Sequence, residues 1–176
     1  FTDLSFHGVT SWQWSFTGGT PATAEEAQAV VTYAEPGVYP VSLSVSDGTA
    51  NLTTTTNNYI TVLANPGDAA PFSEGFEALT ALTGPEWYTE NTNGDNAFQV
   101  TSAAAYSGTK STRIVNTAAM TGNTDELLSR TFDLSDAEAV SISFRWAYAK
   151  RTASSNDELS LYISNDCGQT WLLRRI

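Results

Sequence analysis

The residues able to do chemistry are few and unevenly placed. Histidine occurs once, at position 7. Zinc-protease chemistry needs two imidazoles on one helix face beside a carboxylate base, the His-Glu-x-x-His spacing, so a single histidine excludes it from this chain. A Ser-His-Asp triad would need His7 as well, and no Gly-x-Ser-x-Gly segment is present to hold a serine on a strand-to-helix elbow. His7 is therefore read as an ordinary loop or strand residue. The single cysteine, Cys167, lies between Asp166 and Gly168. A reactive thiolate needs a cationic neighbour, and an acidic turn supplies the opposite field. One cysteine also excludes a disulfide within the chain. No glycine-rich phosphate loop is present.

Carboxylates are plentiful instead. There are 19 Asp and Glu against 8 Lys and Arg, a net charge of −11. Residues 1–65 contain Asp3, Glu25, Glu26, Glu35 and Asp47 but no Lys or Arg. Nucleic-acid binding rests on cations displacing phosphate counterions, so no nucleic-acid partner is expected. Glycoside hydrolysis needs two carboxyl groups roughly 5–10 Å apart across a cleft. Glu74, Glu77, Asp125, Asp157 and Glu158 are candidates by type alone. The segment 91–96, Asn-Thr-Asn-Gly-Asp-Asn, is oxygen-rich and suits a hard cation in composition. It is not an EF-hand loop, because Ser102 stands where the bidentate Glu belongs. Sugar binding uses exposed rings; Trp87 and Tyr88, following Gly84-Pro85, are the candidate surface pair for a polysaccharide. Trp12, Trp14, Phe144 and Trp146 are assigned to core positions.

The elements that position these residues read as strands. Trp12, Trp14 and Phe16 alternate with Ser11, Gln13 and Ser15; Val41, Leu43 and Val45 alternate with Ser42, Ser44 and Ser46. Period-2 alternation puts bulky groups on one face of a sheet and small polar groups on the other. Ile60 and Val62 continue the pattern, and Gly18-Gly19, Pro36-Gly37 and Asp47-Gly48 mark turns between strands. Residues 22–29 read as a loop. Around Asn65-Pro66-Gly67-Asp68-Ala69-Ala70-Pro71 the alternation stops, which marks 65–71 as a short, stiff linker. It returns with Phe72, Glu74 and Phe76, then Phe98 and Val100, Ile114, 127–132, and Ile142, Phe144 and Trp146. The last clear strand carries Leu159, Leu161 and Ile163, and 171–176 reads as the start of another. Helical periodicity is absent, and no apolar run approaches the ~18 residues of a membrane span, so no membrane insertion is expected. The expected fold class is all-β, with two modules at 1–64 and 72–176.

Two resemblances sharpen this reading. The first module resembles a PKD domain, an immunoglobulin-like sandwich. Ser11-Trp12-Gln13-Trp14-Ser15-Phe16-Thr17-Gly18-Gly19-Thr20 is similar to that family's aromatic strand and glycine turn. Tyr33-Ala34-Glu35-Pro36-Gly37-Val38-Tyr39-Pro40-Val41-Ser42-Leu43-Ser44-Val45 is similar to its Tyr-x-x-Pro-Gly-x-Tyr-x-Val-x-Leu-x-Val signature. The resemblance places Trp14 at the sandwich centre. Ser15 and Thr17 replace the usual turn aspartates, which argues against a cation there.

The second module resembles the cleaved-adhesin, choice-of-anchor and MAM-like jelly rolls of Bacteroidetes-type secreted proteins. Glu74-Gly75-Phe76-Glu77, Trp87, Asn93-Gly94-Asp95 before Phe98, and Ser107-Gly108 carry it. Asp125-Glu126-Leu127-Leu128-Ser129, Phe132-Asp133-Leu134-Ser135 and Ser164-Asn165-Asp166-Cys167-Gly168-Gln169-Thr170-Trp171 follow in order. Such modules often hold a structural calcium between the opening strand and a later loop. The resemblance thereby nominates Glu74 and Glu77 with Asp157 and Glu158 as calcium ligands.

In both families further strands are expected, before Phe1 in the first module and after Ile176 in the second. Each sandwich is thus expected to be incomplete here, within a chain cut from something longer, with open edges able to pair with another chain. The implied role is a non-catalytic accessory region of a large secreted or cell-surface bacterial protein, either a pappalysin-type zinc metalloprotease or an adhesin. It would act as a spacer and as an adhesion or substrate-docking unit, with protein or polysaccharide partners. The alternatives are a carbohydrate-binding module and a structural protomer assembling through its sheet edges.

Overall fold

The computed structural model describes residues 1–6 and 8–174; His7, Arg175 and Ile176, and the readings that fall on them, lie outside the described residues. Among the described residues the regular structure is β, apart from one 3₁₀ turn at Ala118–Met120. Two compact units are present, Phe1–Phe132 and Asp133–Ile176.

The first unit opens with β1 (Ser11–Phe16), β2 (Thr23–Ala24), β3 (Gly37–Ser46) and β4 (Asn51–Val62). They form one antiparallel sheet in the order β2–β1–β3–β4. Register follows the alternation read from the sequence. Trp12 pairs with Val45, Trp14 with Leu43 and Phe16 with Val41, so the bulky residues of both strands share a face. A slip of one residue would turn that whole set to solvent, which is why the register is so firmly fixed.

Beneath this face a second layer is laid by the chain start and by residues 28–33. Thr2 bridges to Gln28, and Ala29 N–H donates to Phe1 O at 3.0 Å. The resulting core holds Trp14, Phe16, Ala29 and Val41, with Phe1, Trp12, Ala24, Val31, Tyr33, Leu43 and Ile60 packed around it. Phe16 is fully buried, worth about 2–3 kcal/mol in transfer free energy. The two core indoles keep their polar atoms satisfied: Trp14 Nε1 donates to Glu26 O at 2.9 Å, and Trp12 Nε1 to Asp3 Oδ2 at 2.7 Å. The stretch 22–29, read as loop, contributes the short strand β2 and the core residue Ala29.

The glycine turn and the tyrosine signature interlock. Gly18 has φ +78°, and a Cβ built on it would stand 2.3 Å from Tyr39 Cε1. Tyr39 in turn packs on Tyr33 with ring centroids 5.0 Å apart and donates its hydroxyl to Glu35 O at 2.9 Å. The two motifs are thus one local structure.

The segment 65–71 is tied to the chain near residue 130. Thr131 Oγ1 donates to Ala64 O at 2.6 Å, Asp68 N–H donates to Thr131 O at 3.0 Å, and Arg130 forms an ion pair with Asp68. The Arg130 guanidinium also lies 5.1 Å from the centre of the Phe72 ring, which meets Phe132 at 5.0 Å. Asp68–Ala69 forms the short strand β5, and β10 (Phe132–Asp133) closes this region.

Between them lie β6 (Trp87–Glu90), β7 (Gln99–Thr101), β8 (Ser111–Arg113) and β9 (Glu126–Ser129). They form two antiparallel ladders, β6–β9 and β7–β8. Leu82, Met120 and Leu128 are buried here. Phe72, Glu74 and Phe76, expected on an opening strand, are not in one: Phe76 has φ +64°, a left-handed conformation that no strand accommodates.

The second unit carries one hairpin, β11 (Leu161–Ile163) with β12 (Leu172–Arg174), registered Leu161 to Arg174 and Ile163 to Leu172. The expectation that Phe144 and Trp146 line a core is corrected. Residues 141–149 form no ladder, and Phe144 and Trp146 are 44% and 59% exposed. Alternation directs side chains to one face, but burying that face requires a second layer. Among the described residues no strand is paired with this segment.

Candidate functional site

Each carboxylate nominated for calcium is engaged by its own neighbourhood. Glu74 Oε1 accepts from Phe76 N–H, fastening the turn that sets Phe76 in its left-handed conformation. Glu77 is the most heavily used. Its Oε1 accepts Thr109 N–H and Lys110 N–H, both at 2.8 Å, and its Oε2 accepts Thr109 Oγ1 at 2.7 Å. Lys110 Nζ returns to Glu77 O and Leu79 O at 2.8 Å. The approach is close enough that a Cβ on Gly108 would sit 2.3 Å from Glu77 Oε1. These donors, led by the Thr109 hydroxyl, hold the Glu77 carboxyl below the usual range.

Asp157 Oδ2 accepts the Tyr148 hydroxyl at 2.6 Å, and Glu158 Oε1 accepts Ser160 Oγ at 2.9 Å. Glu74 and Glu77 belong to the first unit, Asp157 and Glu158 to the second. Among the described residues no group of three or more His, Cys, Asp or Glu side chains is arranged to hold a metal ion.

Trp87 and Tyr88, nominated for sugar stacking, lie in β6 opposite Ser129 and Leu128. Both are partly buried. Trp87 packs its ring against Phe76 at 5.2 Å, and its Nε1 is buried without a protein acceptor. Burial, followed by the charges of Glu90 and Glu126, raises the Tyr88 hydroxyl pKa. Glu90 and Glu126 stand directly opposite across the ladder, a like-charge pair that weakens it.

Asp95 and Asp125 lie near enough for the charge of one to act on the other. Asp95, from the oxygen-rich segment 91–96, receives Asn123 Nδ2 on Oδ2 at 2.6 Å, and its backbone carbonyl receives Asn91 Nδ2 at 2.7 Å. Its Oδ1 and that of Asp125 are both solvent-inaccessible and have no protein donor. Burial first, and then the charge on Asp95, raises the Asp125 pKa. Asp125 is among the carboxylates picked out by type and Asp95 belongs to the oxygen-rich segment; nothing in their spacing of thirty positions connects them.

The segment Ser164–Trp171 is a closed polar knot at the β11–β12 hairpin. Asp166 Oδ1 accepts Thr170 N–H and Ser164 Oγ, both at 2.8 Å, and Oδ2 accepts Thr170 Oγ1 at 2.6 Å. Ser164 Oγ accepts Gly168 N–H at 2.7 Å. Cys167, at φ +56° and exposed, is a turn residue of this knot. The motif's polar residues are spent on shape.

No curated protein and no solved structure matches the chain. Residues 1–62, the span of the β2–β1–β3–β4 sheet and its aromatic core, match the family model of the PKD domain.

Proposed function

We propose that this chain is a non-catalytic accessory region of a secreted or cell-surface protein, in which the PKD domain is a spacer and the residues after it form a docking module. PKD domains are commonly accessory or spacer modules in surface proteins, and they are non-catalytic. They occur in extracellular proteins, and among the described residues no helix is long and apolar enough to cross a membrane. The observation that carries the reading is how the polar side chains are used. Glu77, Asp166 and Asp3 each hold a turn or a neighbouring side chain through two or more hydrogen bonds. Carboxylates engaged in this way fix local shape; Asp95 and Asp125, each with an Oδ1 that has no protein donor, are the exceptions. Trp14 and Phe16 are buried with Phe1, Trp12 and Tyr33 packed against them, which suits a rigid spacer.

The docking half of this reading rests on the resemblance of residues 72–175 to adhesin jelly rolls, and its partners are extracellular protein or polysaccharide. The test immobilises a panel of extracellular-matrix proteins and polysaccharides, measures retention of the chain, and assays the same panel for released product. Retention without product supports the proposal. Product released by the chain alone, and lost in Glu77→Gln or Asp125→Asn, overturns it.

A further inference from the structure

The register of the first sheet sorts its small polar residues into rows on the face away from the core. Ser11 pairs with Ser46, which pairs with Asn51; Gln13 pairs with Ser44, which pairs with Thr53. Side chains alternate in direction along a strand, so these residues share the face opposite Trp12, Trp14 and Leu43. An open groove of about 320 Å³ lies at this end of the sheet. It is lined by all of these polar residues except Thr53, together with Trp12, Val45 and Glu25, which follows β2. That volume is at the lower end of the range for small-ligand sites.

Two kinds of polar group meet here. The hydroxyls are held by the sheet itself. Ser44 and Thr53 share a hydroxyl hydrogen bond at 2.7 Å, and the Ser46 hydroxyl donates to Ala50 O at 2.8 Å while accepting Gly48 N–H at 3.1 Å. The side chains of Gln13, Glu25 and Asn51, by contrast, are exposed and make no hydrogen bond among the described residues. The hydroxyl row is therefore fixed before any ligand arrives, which lowers the entropy cost of binding. The three unengaged groups supply carboxamide donors, carboxamide acceptors and one carboxylate.

We infer that this groove binds a neutral saccharide chain. A sugar hydroxyl both donates and accepts, so carboxamides and hydroxyls match it, and its O–H is a good donor to the Glu25 carboxylate. Competing ligand classes lack their recognition groups. Residues 1–65 contain no Lys or Arg, so a phosphate, sulfate or uronate finds no such cation and is repelled by Glu25 and by a chain of net charge −11. A protein partner is anchored on aromatic or arginine groups. The one aromatic residue of the groove, Trp12, is partly buried, and its indole N–H is committed to Asp3. A neutral polyol needs neither kind of anchor. The site lies wholly within the PKD domain, so it does not rest on docking by the residues that follow; it makes the spacer itself a binding unit.

The experiment titrates the full chain with cello-, chito- and manno-oligosaccharides, with an oligogalacturonate as the anionic control, and follows the amide proton–nitrogen spectrum. At least one neutral series is expected to shift the side-chain amides of Gln13 and Asn51 together with the backbone amides of Ser44 and Ser46. The oligogalacturonate is expected to shift none of them. Gln13→Ala combined with Asn51→Ala is expected to weaken binding about tenfold or more, the worth of one or two neutral hydrogen bonds. Near-ultraviolet circular dichroism of the core tryptophans checks that this variant folds. Ser15→Ala, on the same face but outside the groove, is expected to bind as the wild type does. Should the double variant lose its dichroism, Glu25→Ala, outside the strands, takes its place with the same expectation. Absence of these shifts with all three neutral series overturns the inference, as does binding that the groove substitutions leave intact. Shifts confined to residues beyond 62 put saccharide binding on the docking module, which upholds that reading and overturns this one.

Discussion

Tyr39 lies across Gly18 so closely that no side chain fits between them: a Cβ on Gly18 would meet Tyr39 Cε1 at 2.3 Å and Cδ1 at 2.6 Å. Two costs therefore coincide at one residue. Gly18 sits at φ +78°, where any L side chain adds about 1–2 kcal/mol, and the tyrosine ring must also be displaced from Tyr33 and Glu35. Gly18→Ala is expected to lower the denaturant midpoint by more than the backbone cost alone. In a Tyr39→Ala background the same change is expected to cost only the backbone part, so a double-mutant cycle reads the ring contact directly. Strict additivity of the two changes would show that the motifs are not coupled through this contact.

The parts of this structure that sequence revealed are those where one strand's pattern determines its partner. The Trp12–Trp14–Phe16 alternation and the Val41–Leu43–Val45 alternation fit only one register, and β1 and β3 adopt it. The Thr53–Asn58 half of β4 was not legible, because a run of Thr and Asn carries no difference between faces. It becomes a strand by pairing with β3, not by burying anything. Ile142, Phe144 and Trp146 show the converse: their alternation is as clear as that of β1, yet those side chains are exposed, since periodicity says which way a side chain points and not whether another layer covers it. At the candidate site, Glu77 was found by type, but its role in holding Thr109 and Lys110 links positions more than thirty residues apart, and no local pattern encodes that contact.

Asp125 pays an electrostatic penalty in the folded chain. Its Oδ1 is inaccessible and unpartnered, and burial together with the Asp95 charge raises its pKa. A carboxyl whose folded pKa lies above its unfolded value destabilises the fold at neutral pH. That destabilisation disappears as pH falls through the folded value towards the unfolded one near 3.9. Asp125→Asn is therefore expected to raise the thermal midpoint at pH 7 and to lose this advantage in acid. Asp95→Asn is expected to lower the Asp125 pKa towards its ordinary range, read by carboxyl carbon chemical shifts. A midpoint unchanged at pH 7, with Asp125 titrating normally in the wild type, would contradict the burial of this oxygen.

Asp166 makes the opposite prediction at the other end of the chain. The Thr170 hydroxyl, the Thr170 amide and the Ser164 hydroxyl all donate to its carboxylate, and they lower its pKa to about 2. A depressed folded pKa stabilises the hairpin at every pH above the unfolded value near 3.9, and that contribution is lost as pH falls from there towards 2. The effect is local to the β11–β12 turn, so amide exchange at Gly168 and Thr170 is the right probe rather than global unfolding. Protection there is expected to hold at pH 5 and to fade on acidification below about 4. Thr170→Val removes the largest donor while preserving shape, and is expected to bring the Asp166 titration back towards the ordinary aspartate range. An Asp166 midpoint near 4 in the wild type, or one that Thr170→Val leaves in place, would mean that the serine and threonine of this motif do not hold the turn through this carboxylate.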